Sequence, residues 1–230
     1  MVSSFVARLG RCRAIMAPPK VRHLWLQTGS WHGAQSISTS FNLRMLHWNA
    51  EGVRNKNLEL QVCLKERNID VCCIQETHLD SSHRFSIRGY ETFRRDRKDR
   101  PKGRIFTLVK NTHAAAELYR SEDEDTDVLG IKLLLDKIPL TNYNLYSPSN
   151  KQLRPQVFQP DLDRWIIMGD FNSHSTSLGY DDLDHKGDEV EDWIITHNMV
   201  LINKADDPQR STPELGEQRA VQLWPSLPMI

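Results

Sequence analysis

The sequence predicts an α/β fold, a four-layer sandwich of two mixed β-sheets covered on the outside by helices. Two observations point there. Apolar runs of strand length recur along the chain with a few helically spaced segments between them. Four of those runs stop on polar residues: Met45 to Trp48 on Asn49, Val71 to Ile74 on Gln75-Glu76, Tyr143 to Tyr146 on Ser147-Pro148, and Trp165 to Met168 on Gly169-Asp170-Phe171-Asn172. A buried strand is fixed by its packing, so a polar residue at its end is held within a narrow range of positions. Two carboxylates, two amides and a tyrosine delivered to one rim suit a hard cation and a phosphate ester.

Taken in order, the chain opens with a segment that stands apart. Residues 1–40 carry Arg8, Arg11, Arg13, Lys20 and Arg22 and no acidic residue, and Pro18-Pro19, Gly29, Gly33 and several serines argue against a packed element. A basic, disordered leader is expected, with a mitochondrial transit peptide as the alternative. The domain proper is expected over 41–207. A strand at 43–49 is followed by a helix over 56–67, where Leu60, Cys63 and Leu64, with Leu58 and Val62, fall at helical spacings. Further strands are expected at 71–75, 91–95, 104–110, 114–119, 128–135, 142–146 and 165–170. A helix over 188–197 places Val190, Trp193, Ile194 and His197 on one face, and a last short strand covers 200–203. Pro208, Pro213, Pro225 and Pro228 then interrupt any periodicity, so 208–230 reads as an irregular tail.

Composition excludes little but directs attention. No apolar run approaches the roughly 18 to 20 residues that span a bilayer, which removes a membrane helix. Cys12, Cys63, Cys72 and Cys73 lack a CxxC spacing and the density of a secreted scaffold, so they read as reduced thiols in an intracellular protein. Adjacent Cys72 and Cys73 should face opposite sides of their strand. The formal net charge is zero, yet Arg94, Arg95, Arg97, Lys98, Arg100 and Lys102 lie in one short stretch. They form a candidate surface for DNA phosphates, or else a solvated hairpin. The carboxylates from Glu122 to Asp127 read as a solvated turn, because like charges so dense repel one another.

The candidate site residues carry their chemistry by type. Asp170 and Asn172 lie two apart and would face the same way in extended backbone, with Phe171 turned to the core and Gly169 permitting close approach. An ionised Asp can orient or deprotonate water, and the Asn beside it can donate to a phosphate oxygen. Gly, Asp and Asn are also ordinary turn formers. Glu76, at the mouth of an apolar strand, calls for a cation, either a metal or a basic side chain. Asn49 offers an amide beside it or caps the turn at Glu51-Gly52. Tyr146 offers a hydroxyl to a phosphate, or is a half-buried edge residue.

The succession Leu46-His47-Trp48-Asn49, Cys73-Ile74-Gln75-Glu76-Thr77-His78, Tyr146-Ser147-Pro148 and Gly169-Asp170-Phe171-Asn172 resembles the endonuclease/exonuclease/phosphatase superfamily. More narrowly, Gln75 to His78, Gly89-Tyr90, Arg94 to Arg97, Gly169 to Ser173, Gly179-Tyr180 and Gly187-Asp188 resemble the apurinic/apyrimidinic-type endonuclease domain of Jockey-like non-LTR retrotransposons. The resemblance spans about residues 43–208. It implies magnesium-dependent cleavage of DNA, with manganese as a substitute. Glu76 and Asn49 would hold the metal, Tyr146 would contact the scissile phosphate, and Asp170 would activate water beside Asn172. It also implies a nuclear setting and, within a longer polyprotein, a reverse-transcriptase module as partner.

Three departures qualify that expectation. The family closes its site with a Ser-Asp-His triplet on a late strand, and none follows Asn203 here. Ser149 stands where the family continues Tyr-x-Pro with Asn, and Lys102-Gly103 replaces a Gly-Gly pair. Loss of the histidine typically costs on the order of 10² to 10⁴ in rate, and loss of its strand should open a sheet edge. The expectation is therefore a C-terminally incomplete domain with weak or no turnover. A non-catalytic nucleic-acid-binding remnant and a phosphatase of the same superfamily are the alternatives. His174 is expected in a solvated loop and His197 on an inward helix face, so neither replaces the missing group.

Overall fold

A computed structural model describes residues 13–16, 43–95, 105–121, 125–135, 138–153, 164–177, 180–197, 199–201 and 220–225. Its strands are β1 (Arg13–Met16), β2 (Arg44–Asn49), β3 (Val71–Gln75), β4 (Tyr90–Arg95), β5 (Ile105–Lys110), β6 (Ala114–Arg120), β7 (Asp127–Leu135), β8 (Ile138–Tyr146), β9 (Trp165–Asp170), β10 (Met199–Leu201) and β11 (Ala220–Pro225). The helices are α1 (Asn57–Glu66) and α2 (His185–Thr196), with a 3₁₀ turn at Arg54–Lys56 ahead of α1. One sheet runs β1-β2-β3-β5-β4 and the other β10-β11-β9-β8-β7-β6. Each contains one parallel pair, β2 with β3 and β8 with β9, among antiparallel neighbours. The expected mixed sheets are present.

Strand alternation builds the layers. Odd positions of β2 and β3, namely Met45, Val71 and Cys73, meet Leu129, Ile131, Leu133, Ile166 and Met168 between the sheets. The even positions Leu46, Trp48, Cys72 and Ile74 pack outward with Leu60, Cys63 and Leu64 of α1. On the far side Trp165, Ile167 and Phe171 pack with Val190 and Trp193 of α2. Cys72 and Cys73 thus face opposite sides as predicted, and burial pushes the Cys73 thiol up to about 12, leaving it inert at neutral pH. Leu58 and Val62 lie at helical spacings yet stay exposed on α1, because its buried stripe is only as wide as Leu60, Cys63 and Leu64.

The apolar interface between the sheets is interrupted by a polar seam. Asn142 and Asn144 of β8 cross it: Cys73 Sγ donates to Asn142 Oδ1 at 3.0 Å, Asn144 Nδ2 donates to the Phe106 carbonyl at 2.9 Å, and Gln75 Nε2 donates to Asn144 Oδ1. Buried amides bonded this way fix one register of sheet on sheet, since any slip would strand them.

Two strands appear where the sequence led us to expect none. β1 falls in the basic leader and pairs with β2, and β11 falls in the tail and pairs with both β9 and β10. The edge expected to open beside β9 is therefore covered, with Ala220 opposite Asp170. Neither segment advertises itself by periodicity; an unpaired strand edge offers a row of backbone donors and acceptors that most sequences can satisfy. Helix α2 starts three residues before the expected position because Asp184 caps it, its side chain accepting from the Gly187 N–H at 2.6 Å. Among the described residues no helix is long and apolar enough to cross a membrane.

Candidate active site

Both sheets deliver polar groups to one end of the sandwich. Asn49 closes β2, Glu76 follows β3 directly, Tyr146 closes β8 and Asp170 closes β9, in register with Tyr146. Side by side, β2 and β3 continue their parallel pairing past the strand ends, through Ala50 N to Gln75 O at 3.0 Å, Gly52 N to Glu76 O at 2.8 Å and Val53 N to Thr77 O at 3.1 Å. Beyond them the backbone folds sharply. Glu51, Gly52, Glu76, His78 and Asn172 all have φ between 43° and 89°, the left-handed region that L-residues adopt at a cost. Such strain persists because the rigid strands behind it over-determine the turns.

Asn49 joins the two sheets at this rim. Its Nδ2 donates to Glu76 Oε1 at 3.0 Å and to Asp170 Oδ2 at 2.8 Å, while its Oδ1 accepts from the Glu51 N–H at 3.3 Å. Asn49 thus lies beside both carboxylates and also bonds the turn at Glu51. Gly169 lets β9 lie against β8, since a Cβ there would collide with the Leu145 carbonyl. Phe171 turns into the outer core as expected. Asn172, by contrast, does not project from extended backbone. Its φ of 47° turns the chain, so its own N–H donates to Asp170 Oδ1 at 3.0 Å and its side chain donates to the Ser147 carbonyl at 3.0 Å. Tyr146 is half-buried against the core between the sheets.

Electrostatics mark Asp170. Burial pushes its carboxyl up to about 6, with the Glu76 charge adding to the rise and Asn49, Asn172 and Lys186 opposing it. Two carboxylates bridged by one neutral amide form an under-neutralised set of hard oxygen donors, and a divalent cation of that preference fits it. Among the described residues no group of three or more His, Cys, Asp or Glu gathers into a cage. A cation held here would accordingly keep waters or take phosphate oxygens, the habit of magnesium.

The predicted basic surface is altered. Arg95 is buried, and its guanidinium pairs with Asp127, itself fully buried on β7 of the other sheet. Neither is at a surface: Arg95 leaves the candidate DNA contacts and Asp127 leaves the solvated acidic turn, because alternation along β4 points Arg95 between the sheets. Arg94 on the opposite face donates to the carbonyls of His83 at 2.7 Å and Asp80 at 3.2 Å, bracing that loop. Arg97, Lys98, Arg100 and Lys102 lie outside the described residues. His174 stacks on Tyr180 and bonds Asp182 at 3.1 Å. His197, expected inward, is exposed at the end of α2, where it contacts the Trp193 carbonyl. Lys186 is the residue that sequence reasoning passed over; it is buried beside the rim, on the first turn of α2.

Comparison with known proteins decides the fold. The endonuclease domain of TRAS1, a telomere-specific non-LTR retrotransposon, superposes with a TM-score of 0.64 at 17% identity, covering 79% of this chain and 83% of that one. An endonuclease/exonuclease/phosphatase family protein from Leptotrichia buccalis superposes with a TM-score of 0.53 at 12% identity, covering 80% and 88%. The chain has the endonuclease/exonuclease/phosphatase fold. An AP endonuclease from Archaeoglobus fulgidus gives a TM-score of 0.53 at 15% identity, over 80% of this chain and 86% of that one. Residues 141–220 match the model of the endonuclease-reverse transcriptase family. In sequence, the chain is 24% identical over 170 residues to a probable RNA-directed DNA polymerase from transposon X-element of Drosophila melanogaster, covering 71% of this chain. It spans 18% of that relative's length. The resemblance read from the motifs, to the superfamily's fold and within it to retrotransposon endonucleases, is thus borne out.

Proposed function

We propose that the chain is a magnesium-dependent phosphodiesterase of endonuclease type acting on DNA, with turnover well below that of a complete site. The observation that carries this reading is the Asn49 bridge, which brings Glu76 of one sheet and Asp170 of the other to a single amide. Glu76 and Asn49 would hold the metal, which when bound supplies positive charge to the phosphate oxygens and the leaving oxygen. Asp170 orients the attacking water and accepts its proton. A carboxyl raised to about 6 is still mostly ionised at pH 7 and is a stronger base than an ordinary aspartate. Asn172, anchored on Ser147, holds Asp170 in place through its backbone N–H. Tyr146 stands one strand away to contact the phosphate.

Of the histidines near this end of the sequence, His174 is bonded to Asp182, His185 lies beside Glu189 at 3.4 Å, and His197 is at the far end of α2, so these three do not complete this set. No Ser-Asp-His follows Asn203 in these residues, and a site working without that donor to transition-state charge would carry a deficit on the order of 10² to 10⁴ in rate. That deficit favours a second reading, a DNA-binding remnant without turnover.

Nicking of supercoiled plasmid separates them. Slow nicking with magnesium, abolished by EDTA and by Glu76→Gln, supports the enzyme; salt-sensitive DNA binding that survives Glu76→Gln without any nicking supports the remnant. Hydrolysis of a phosphomonoester with DNA left intact would point to a phosphatase, and nicking unchanged in Glu76→Gln would overturn the site assignment.

A further inference from the structure

Lys186 is 6% exposed, an expensive place for an ammonium group. An apolar side chain would fill the same space at lower cost, so what the amine bonds to matters. Its Nζ donates to the carbonyl oxygens of Ser147 at 3.2 Å and Pro148 at 2.7 Å, the two residues that follow Tyr146. The Ser147 carbonyl also accepts from Asn172 Nδ2 at 3.0 Å, and the Ser147 N–H donates to the Asp170 carbonyl at 2.9 Å. The turn leaving Tyr146 is thereby held by helix α2, by Asn172 and by the end of β9 together.

The seat of α2 leaves this clamp little slack. A Cβ at Gly187 would collide with the His174 carbonyl, so the first turn of the helix lies directly on the segment that follows Asn172. The Asp184 N–H donates to that same His174 carbonyl at 3.0 Å, and the Asp184 side chain caps Gly187. Burial lowers the Lys186 pKa to about 8, with Asp170, Asp184 and Glu189 acting to raise it, so the ammonium persists at neutral pH.

We propose that Lys186 is a positioning residue: by tying the Ser147-Pro148 turn to helix α2, it sets where the Tyr146 hydroxyl stands relative to Asp170. This rests on the reading above, in which Tyr146 faces the scissile phosphate, but its test needs no cleavage. The chain has five tyrosines, and 3-fluorotyrosine in all of them gives a fluorine NMR spectrum in which Tyr146→Phe identifies one signal. In Lys186→Met the sharp Tyr146 signal should be lost to shifting or broadening while the others stay, and Lys186→Arg, which keeps charge and donors, should restore it. A role in stability alone would lower the melting temperature and leave the Tyr146 signal where it was; that result overturns the proposal. Should Lys186→Met not fold, Lys186→Gln carries the same test, with a displaced signal expected and an unmoved one contradicting it. Absence of nicking with the Tyr146 signal still governed by Lys186 would count against the nuclease reading and leave the clamp standing.

Discussion

Asp127 and Asp170 stand at the same level of one sheet, one on each side of Tyr146, and both are buried. Their surroundings differ in one respect. Asp127 receives the Arg95 guanidinium from the opposite sheet, so the chain neutralises its charge from within. Asp170 meets an amide, a backbone N–H and the neighbouring Glu76 carboxylate, while the nearby Lys186 ammonium is bonded to two carbonyls. Two carboxylates with the same backbone position and burial are thereby assigned different work. The first locks the sheets together; the second keeps an unmet demand for positive charge, which the proposed cation beside it would answer.

The largest effect should come from the locked pair. Arg95→Met strands the Asp127 charge in the interior and should cost about 3–5 kcal/mol in urea unfolding; a loss below about 1 kcal/mol would erase the contrast. Asp170→Asn should act in the opposite direction. Because the folded pKa of Asp170 is raised from 3.8 to about 6, its burden on stability is absent below pH 4, grows between pH 4 and 6, and is complete above. At pH 7 that amounts to up to about 3 kcal/mol. The variant should therefore be more stable than the wild type at pH 7, equal to it near pH 3.5, and without nicking activity. Equal unfolding free energies at both pH values would show that Asp170 is better neutralised than its neighbours indicate.

Saturating magnesium should relieve the same burden. At 100 times its dissociation constant it should stabilise the wild type by about 2.7 kcal/mol, read as a rise in melting temperature that Glu76→Gln abolishes. A smaller change, about 1–3 kcal/mol of destabilisation, is expected for Gly169→Ala, whose methyl would push β9 off the Leu145 carbonyl. Smallest should be Arg94→Ala on DNA binding. With its guanidinium committed to His83 and Asp80, the salt slope should change by less than about one counterion. A larger change would restore Arg94 as a phosphate contact.

Strand ends were the most legible feature of the sequence. A run such as Trp165 to Met168 can only be buried, and the polar residues after it can only emerge at a rim, so the meeting of Asn49, Glu76 and Asp170 at one rim was legible from pattern and family motif. What escaped was whatever depends on a partner far away in the chain. Arg95 and Asp127 each read as surface charge because no local periodicity reveals that two alternating strands will aim them at each other. Asn172 was placed by extended-strand geometry, whereas its hydrogen bond to Asp170 favours a left-handed turn. Lys186 lies ahead of the helix expected over 188–197, and no pattern singled it out; the glycine beside it was the available signal. The pairing of β11 had none, since sheet edges accept strands through backbone groups.

The central claim, as proposed above, is that Glu76 with Asn49 holds a divalent cation beside the Asp170 carboxylate, and the most direct measurement is manganese binding followed by electron paramagnetic resonance without DNA. One manganese ion per chain should leave the free-ion signal of the wild type, and Glu76→Gln should return it to solution. Binding of the same strength and stoichiometry in Glu76→Gln would contradict the account.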